Sequence, residues 1–330
     1  MNPEAPVRVL YIAASGRCGS TLLDRVLGQF PGVFAAGEVW HVWERSILGD
    51  GRCGCGEAFR VCSVWSEVFL EAFGGFDEGV AREMARRYQA MRTRSLPMVL
   101  TPVTWRRLLR RLGPYPANLE ALYRAIQHVS GARLLIDASK DPLYALVLRS
   151  RPSVELWMLH LVRDPRAAAF SWTRRKQETG YEAPRYMPTY PPAVSAPMWA
   201  VLNEAAAHFG RRHPERYLAV RYEDLVGAPE EVLGDIAAFV GEDLGAGPFV
   251  SPDTVHLEPT HSAWGNPSRF LSGEVQLRAD DEWEAALASR DRALVEALTW
   301  PWLRRYGYDR LGQRCPPAVE VSLPHRLDLD

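Results

Sequence analysis

Lysine is almost missing from this chain. Of 39 basic residues among 330, only Lys140 and Lys176 are lysines, so at Lys140, beside a strand end, a compact ammonium reads as a choice against the prevailing arginine; the competing reading is a surface lysine. Charge of one sign is missing too. The 39 basic and 40 acidic residues leave a net charge of −1, which gives no basic footprint for a nucleic-acid partner. No run of eighteen apolar residues exists, which excludes a membrane-spanning helix. Met1 to Pro6 has neither the basic nor the apolar region of a secretion signal, so the expected location is cytoplasmic, with the five cysteines reduced. There is no internal repeat and no G-x-x-x-x-G-K-[ST] loop, which disfavours an ATP-dependent kinase or ATPase. What remains, 47% hydrophobic and 24% charged residues, describes a folded chain long enough for a substantial core.

The chain is organised around Val7 to Gln29. Val7, Val9, Leu10, Ile12 and Ala13 read as a buried strand of a parallel sheet. Ser15, Gly16, Arg17, Cys18, Gly19, Ser20 and Thr21 form a small-residue turn, and Leu22, Leu23, Val26 and Leu27 follow at helical spacing. Strand, glycine-containing turn and helix make an anion cradle, because amide groups at a helix N-terminus point outward; the competing reading is an ordinary strand-to-helix turn.

Four more segments end at the carboxyl side of expected strands, where open α/β sheets bind ligands. Val33 to Ala36 runs into Gly37-Glu38, which makes Glu38 a candidate general base; the competing reading is a solvated glutamate capping a helix that starts near Val39. Leu134 to Ile136 runs into Asp137-Ala138-Ser139-Lys140-Asp141-Pro142, with a helix from Pro142. Val154 to Val162, the most apolar strand, ends at Arg163, and the helix from Ala167 through Lys176 would carry Ser171 and, four residues on, Arg175 on one face. Arg163 and Ser171 are an anion-binding pair of guanidinium and hydroxyl. Tyr217 to Val220 leads into Arg221-Tyr222-Glu223-Asp224-Leu225 and a helical region to Val240.

The remaining stretches are less regular. Gly49 to Cys62 holds Cys53, Cys55 and Cys62; with His41 as a distant fourth ligand the spacing is irregular, and a metal-free loop over the acceptor pocket is expected. Val64 to Gln127 is helical with breaks at Gly74-Gly75, Pro97, Pro102 and Gly113-Pro114, and its arginines are read as the wet side of amphipathic helices. Gln177 to Pro197 reads as a lid or binding segment, Met198 to Arg212 as a helix, Leu244 to Ser272 as irregular, and Asp281 to Leu298 as the last helix. The expected architecture is one α/β domain over 1–330: a mainly parallel sheet with helices on both faces, a helical insertion over about 64–130, and a weakly ordered tail over about 316–330.

In combination these segments resemble the sulfotransferases that use 3′-phosphoadenosine 5′-phosphosulfate. SGRCGST is similar to their P-loop-like 5′-phosphosulfate turn, RDPRAAAFSW to their 3′-phosphate segment, RYEDL to the segment whose tyrosine (here Tyr222) lies against adenine, and GNPSR to a cofactor-closing segment of bacterial members. Within that superfamily the chain resembles bacterial enzymes related to the tyrosylprotein sulfotransferases, whose Gly-Glu base and Lys-Asp-Pro lysine match Gly37-Glu38 and Lys140-Asp141-Pro142. The resemblance implies Glu38, Arg17 and Lys140 as catalytic residues. It implies Gly16, Arg17, Cys18, Gly19, Ser20, Thr21, Arg163, Ser171, Arg175, Tyr222, Asn266 and Arg269 around the donor, and no metal. The acceptor would carry a hydroxyl, on a small molecule, lipid, sugar or peptide. Two features depart from the cytosolic phenol and steroid enzymes: no histidine matches their base, and Arg17 stands where they keep lysine. The rival readings are a nucleotide-dependent phosphotransferase, which lacks its lysine here, and a non-catalytic binder of adenosine bisphosphate, which has no need of both Glu38 and Lys140.

Overall fold

The computed structural model describes residues 5–91, 93–178, 181, 185–245 and 247–309. The tail expected to be weakly ordered lies outside them.

The first strand, β1 (Val7–Ala14), leads through the Ser15–Gly19 turn into helix α1 (Ser20–Leu27) and strand β2 (Val33–Ala35). A 3-10 turn, Val39–His41, and a π-helical turn, Val42–Ile47, follow where an α-helix was expected. Four helices come next: α2 (Ser63–Phe73), α3 (Glu78–Met91), α4 (Pro102–Leu112) and α5 (Tyr115–Ser130). They break at the expected glycines and prolines, with Pro102 at the first turn of α4 and Gly74 closing α2 in the left-handed conformation. Arg82, Arg86 and Arg87 pair with Glu78 and Glu83 on the outer side of α3, the solvated face that the pattern implied.

Strand β3 (Leu134–Lys140), helix α6 (Pro142–Arg149), strand β4 (Val154–Val162) and helix α7 (Pro165–Thr173) complete the centre. Then come a hairpin of β5 (Gln177–Glu178) and β6 (Arg185–Tyr186), the long helix α8 (Pro192–Arg212), strand β7 (Tyr217–Arg221), and helices α9 (Tyr222–Gly227) and α10 (Pro229–Val240). The helix expected from Met198 therefore starts at Pro192: proline at the first helical position gives up no hydrogen bond and presets φ, so Pro192 opens the helix rather than excluding it.

The region expected to be irregular, Leu244 to Ser272, contributes two of the three strands of a second sheet. Strands β8 (Phe249–Ser251), β9 (Thr254–Leu257) and β10 (Gly273–Gln276) pair antiparallel in the order β10-β9-β8. These strands are three or four residues long, too short for alternation to register. The last expected helix is two, α11 (Glu282–Ala286) and α12 (Ser289–Arg305), separated by Leu287 and Ala288.

The main sheet is fully parallel, in the order β2-β3-β1-β4-β7. The chain steps from β1 to one side for β2 and β3 and then to the other for β4 and β7, so the sheet reverses its winding beside β1, and the carboxyl ends there form a crevice. Side-chain alternation divides β1 between two cores. Val7, Val9, Tyr11 and Ala13 face the four-helix side, while Leu10, Ile12 and Ala14 face α1, α9 and α10. No helix among the described residues is long and apolar enough to cross a membrane.

Candidate active site

Each of the five parallel strands delivers a sequence-selected residue at its carboxyl end: the Ser15–Gly19 turn after β1, Glu38 after β2, Lys140 as the last residue of β3, Arg163 after β4, and Tyr222 after β7. The turn itself is shaped by two left-handed residues, Arg17 at φ 68° and Gly19 at φ 91°. A Cβ on Gly19 would run into the ring of Tyr222, so this glycine is needed for conformation and for close approach alike.

Lys140 and Glu38 meet. Lys140 Nζ lies 2.5 Å from Glu38 Oε1. The β1–β3 register slips between Tyr11 and Ala13, a bulge that ends with Lys140 at φ 71°. A left-handed lysine costs on the order of 1–3 kcal/mol, and bulges re-aim side chains beside active sites. Behind Lys140, Asp137 accepts from Ser139 N (2.8 Å), from Ser139 Oγ and from Tyr123 OH, while Asp141 accepts from Tyr88 OH at 2.9 Å. Tyr88 and Tyr123 come from the helical insertion, which thereby locks the end of β3.

Glu38 is 8% exposed. Burial is the strongest single influence and pushes its carboxyl up, but the Lys140 charge and hydrogen bond, with smaller help from neighbouring side chains, together hold the group below its usual range. His41 Nε2 lies 3.7 Å away and is no counter-charge, because burial pushes that imidazole down to about 3 and leaves it neutral. The backbone before Glu38 is fixed from two sides. Gly37 N donates to buried Asp24, and Glu38 N donates to Trp264 O at 2.9 Å. Gly37 sits at φ 72° with a Cβ position filled by Ser262 Oγ and Trp264 O. Burial raises the Asp24 carboxyl to about 8, so at neutral pH it is largely protonated and uncharged beside Glu38.

Cationic groups surround the turn. The Arg17 guanidinium stacks over Trp172, 4.8 Å to the ring centre, with Nη1 on Met187 Sδ; its Nε and Nη2 are buried without partners. Arg163 Nη1 donates to Arg17 O at 3.0 Å, Nη2 pairs with Asp280 at 2.9 Å, and the group stacks on Tyr222 with Nε unpartnered. Lys176 is half-buried; burial first and then the Arg17 charge push its pKa down, so both lysines of the chain flank the same loop.

Some expected site residues are placed differently. Helix α7 ends at Thr173, so Arg175 does not share a helical face with buried Ser171; it stacks at 3.6 Å on Tyr186 of the hairpin. The Asn266 amide oxygen caps the short 3-10 turn by accepting from Ser268 N, while its backbone N–H donates to Thr21 Oγ1. Arg269 is fully buried, and its Nη1 and Nη2 donate to Gly265 O and Arg52 O. The Asn266 backbone and the Arg269 side chain thus hold the closing segment against α1 and the Arg52 loop, while the Asn266 side chain shapes the segment itself. Cys18 is buried in the core behind the turn, and burial raises its thiol pKa. Ser20 and Thr21 open α1.

Sequence reasoning missed Asp24, Arg25, Asp280 and His261. An acid–base pair inside the apolar spacing of α1 was the signal for Asp24 and Arg25. Asp280 and His261 had none, because each acts on a residue more than a hundred positions away. His261, not His41, lies with Cys53, Cys55 and Cys62.

A profile described as "Sulfotransferase family" matches residues 81–245, half of the chain and including Lys140, Arg163, Ser171 and Tyr222. Carbohydrate sulfotransferase 2 of Homo sapiens is 25% identical over 360 residues, covering 92% of this chain and 66% of that protein. Carbohydrate sulfotransferase 5 of Mus musculus is 26% identical over 351 residues, covering 97% and 86%. The chain thus spans slightly less than two thirds of the human relative's length. Among solved structures, the sulfotransferase domain from the Synechococcus PCC 7002 olefin synthase aligns over 91% of this chain and 97% of its own at 21% identity, with a TM-score of 0.48. On the family profile, and with its matched residues gathered at the ends of the parallel strands, the chain belongs to the sulfotransferase family.

Proposed function

We propose that the chain transfers a sulfuryl group from 3′-phosphoadenosine 5′-phosphosulfate to an acceptor hydroxyl, with Glu38 as general base. The observation that carries this reading is the buried Lys140–Glu38 pair, 2.5 Å apart, beside the unpartnered guanidinium edge of Arg17.

The residues present fit a polyanionic donor. Partnerless buried nitrogens on Arg17 and Arg163 await acceptors, and the turn's amides open at the N-terminus of α1. When bound, that donor supplies the sulfuryl group and leaves as adenosine 3′,5′-bisphosphate. Gly16 to Thr21 would hold its 5′ end, Arg163 and Ser171 its 3′-phosphate, and Tyr222 its adenine. Asp280 now occupies one arm of Arg163 and has to give way to a phosphate.

Glu38 is ionised at neutral pH because Lys140 holds its pKa down, so a proton acceptor stands ready. A carboxylate held this low is a weak base. It gains basicity when Lys140 turns from it toward negative charge developing on the transferred group, which couples proton removal to sulfuryl transfer. The acceptor reaches Glu38 past aromatic groups. Trp40 packs on His41 and Tyr88, and Trp264 on His41 and Tyr181. Such faces suit a sugar ring, and the named activity of the relatives points the same way. A cytoplasmic setting belongs to the same reading, in keeping with free rather than paired thiols at Cys18, Cys53, Cys55 and Cys62.

The test is turnover. The full chain incubated with the phosphosulfate donor and a panel of oligosaccharides should yield sulfated sugar by mass spectrometry, and should move no phosphate from ATP. Phosphorylated product, or tight donor binding with no transfer to any sugar, phenol, lipid or peptide hydroxyl, overturns the reading.

A further inference from the structure

Outside the active site, three thiols and an imidazole converge. Cys53, Cys55 and Cys62 come from the loop before α2, and His261 from the segment after β9. Their Sγ and N atoms all lie within 4.8 Å of one another. His261 Nδ1 is 3.3 Å from Cys62 Sγ and 3.7 Å from Cys53 Sγ, and the sulfurs of Cys55 and Cys62 are 3.9 Å apart. Zinc bonds of about 2.3 Å to sulfur and about 2.0–2.1 Å to nitrogen give tetrahedral edges of about 3.8 Å between sulfurs and about 3.6 Å between sulfur and nitrogen. These three separations lie within about 0.3 Å of such edges, and no pair of the four atoms is farther apart than 4.8 Å.

The surroundings agree. Cys53 and Cys62 are buried, and Cys55 and His261 are half-buried. Backbone N–H groups of Cys55, Glu57 and Trp65 hydrogen-bond to the sulfurs of Cys53, Cys55 and Cys62, as metal-held thiolates require of their surroundings. Trp65 Nε1 donates to His261 O at 2.7 Å and fixes the backbone that carries the imidazole. Gly54 lets the loop come this close, since a Cβ there would press on Thr260 O. Soft sulfur and imidazole donors without a carboxylate select zinc over magnesium or calcium.

We propose that Cys53, Cys55, Cys62 and His261, the last through Nδ1, bind one Zn²⁺ in a closed structural site. Binding releases the three thiol protons and leaves three thiolates and a neutral imidazole on the ion. Four protein ligands leave no open position, so the metal takes no part in the transfer chemistry. Its work is to tie the loop to the segment that holds Glu38. Gly54 N donates to Ser262 O, Ala263 N to Ala36 O, and Glu38 N to Trp264 O, all at 2.8–2.9 Å and within three residues of His261 on that segment. The irregular spacing that argued against a metal in the sequence reflects a fourth ligand about two hundred residues away.

The experiment is elemental analysis of the full chain, purified from zinc-supplemented cells without chelator. About one zinc per chain should survive dialysis. The Cys62→Ser and His261→Ala variants should lose it, whereas His261→Cys should retain it, since four cysteines also hold zinc. Should the losing variants fail to fold, cobalt exchanged into the wild-type chain gives the same answer. Intense visible bands and a thiolate charge-transfer band mark a tetrahedral sulfur site. Metal-free chain with three freely titrating loop thiols, or a Cys55–Cys62 disulfide, overturns the proposal. Because these readouts need no turnover, they stand or fall apart from the proposed reaction.

Discussion

The floor of the site and its cover are held by different forces. The floor is the set of carboxyl ends of five parallel strands, each anchored by ladder hydrogen bonds and by apolar side chains on both faces. The cover, His261 to Phe270, is held by polar ties from distant elements. Arg25 donates to Ser268 O within it and to Glu258 O and Leu271 O on either side of it, Ser46 Oγ to Ala263 O, and Arg269 to Arg52 O. The floor presents ionisable groups whose loss should strike the chemistry. The cover presents mostly backbone, and its loss should strike assembly.

The largest expected effect falls on the floor. Lys140→Met removes the ammonium beside Glu38, which in the proposed reaction would face the transferred group, and turnover should fall by about 10²–10³-fold. It also carries a pH signature. The wild-type Glu38 pKa is depressed, so the carboxylate contributes stability above its unfolded value of about 4.3, and loses it as pH falls through the folded value. Without Lys140 the main influence opposing burial is gone, and the acid limb of the rate profile should move to higher pH. An unmoved limb would separate Lys140 from Glu38.

Next comes the cover. Arg25→Met removes a guanidinium, in a position 1% exposed, from three carbonyls, of which Glu258 O keeps Gln29 Nε2 and Ser268 O keeps Leu271 N, and should cost about 1–3 kcal/mol in stability. Calorimetry should show a melting temperature lower by several degrees, with kcat per folded molecule changed far less than in Lys140→Met. A kcat loss as large as that of Lys140→Met would erase the distinction between floor and cover.

The smallest effects concern the donor. Arg163→Ala should weaken adenosine 3′,5′-bisphosphate by about 1.5–3 kcal/mol and adenosine 5′-phosphate much less, whereas Asp280→Asn, which frees Arg163 from a partly exposed pair, should tighten the bisphosphate by no more than about 1 kcal/mol. Titration calorimetry of both ligands reads both variants. Equal losses for the two nucleotides in Arg163→Ala would remove Arg163 from the 3′ end.

The same division decides what the sequence made legible. The floor was legible because a buried strand is a local apolar run with polar residues at or just past its end, although β3 runs beyond the expected Ile136, through Asp137 and Ser139, to Lys140. Val154–Val162 followed by Arg163 is the clearest case, and the strand bounds agree to the residue. The cover gave no such signal. The strands on either side of it are too short to alternate, the grip of Arg269 on two carbonyls has no mark in the sequence, and His261 has meaning only beside cysteines two hundred positions earlier. Arg175 failed for a local reason: a helix that stops at Thr173 cannot carry it on the Ser171 face.

The most direct test of the account is Glu38→Gln, which keeps the shape and removes the proton acceptor. The measurement is kcat for sulfuryl transfer together with the calorimetric Kd for adenosine 3′,5′-bisphosphate on the same preparation. The account predicts a fall in kcat of about 10²-fold or more, with Kd changed by no more than about twofold. Unchanged kcat, or a loss of nucleotide affinity as large as the loss of rate, would contradict it.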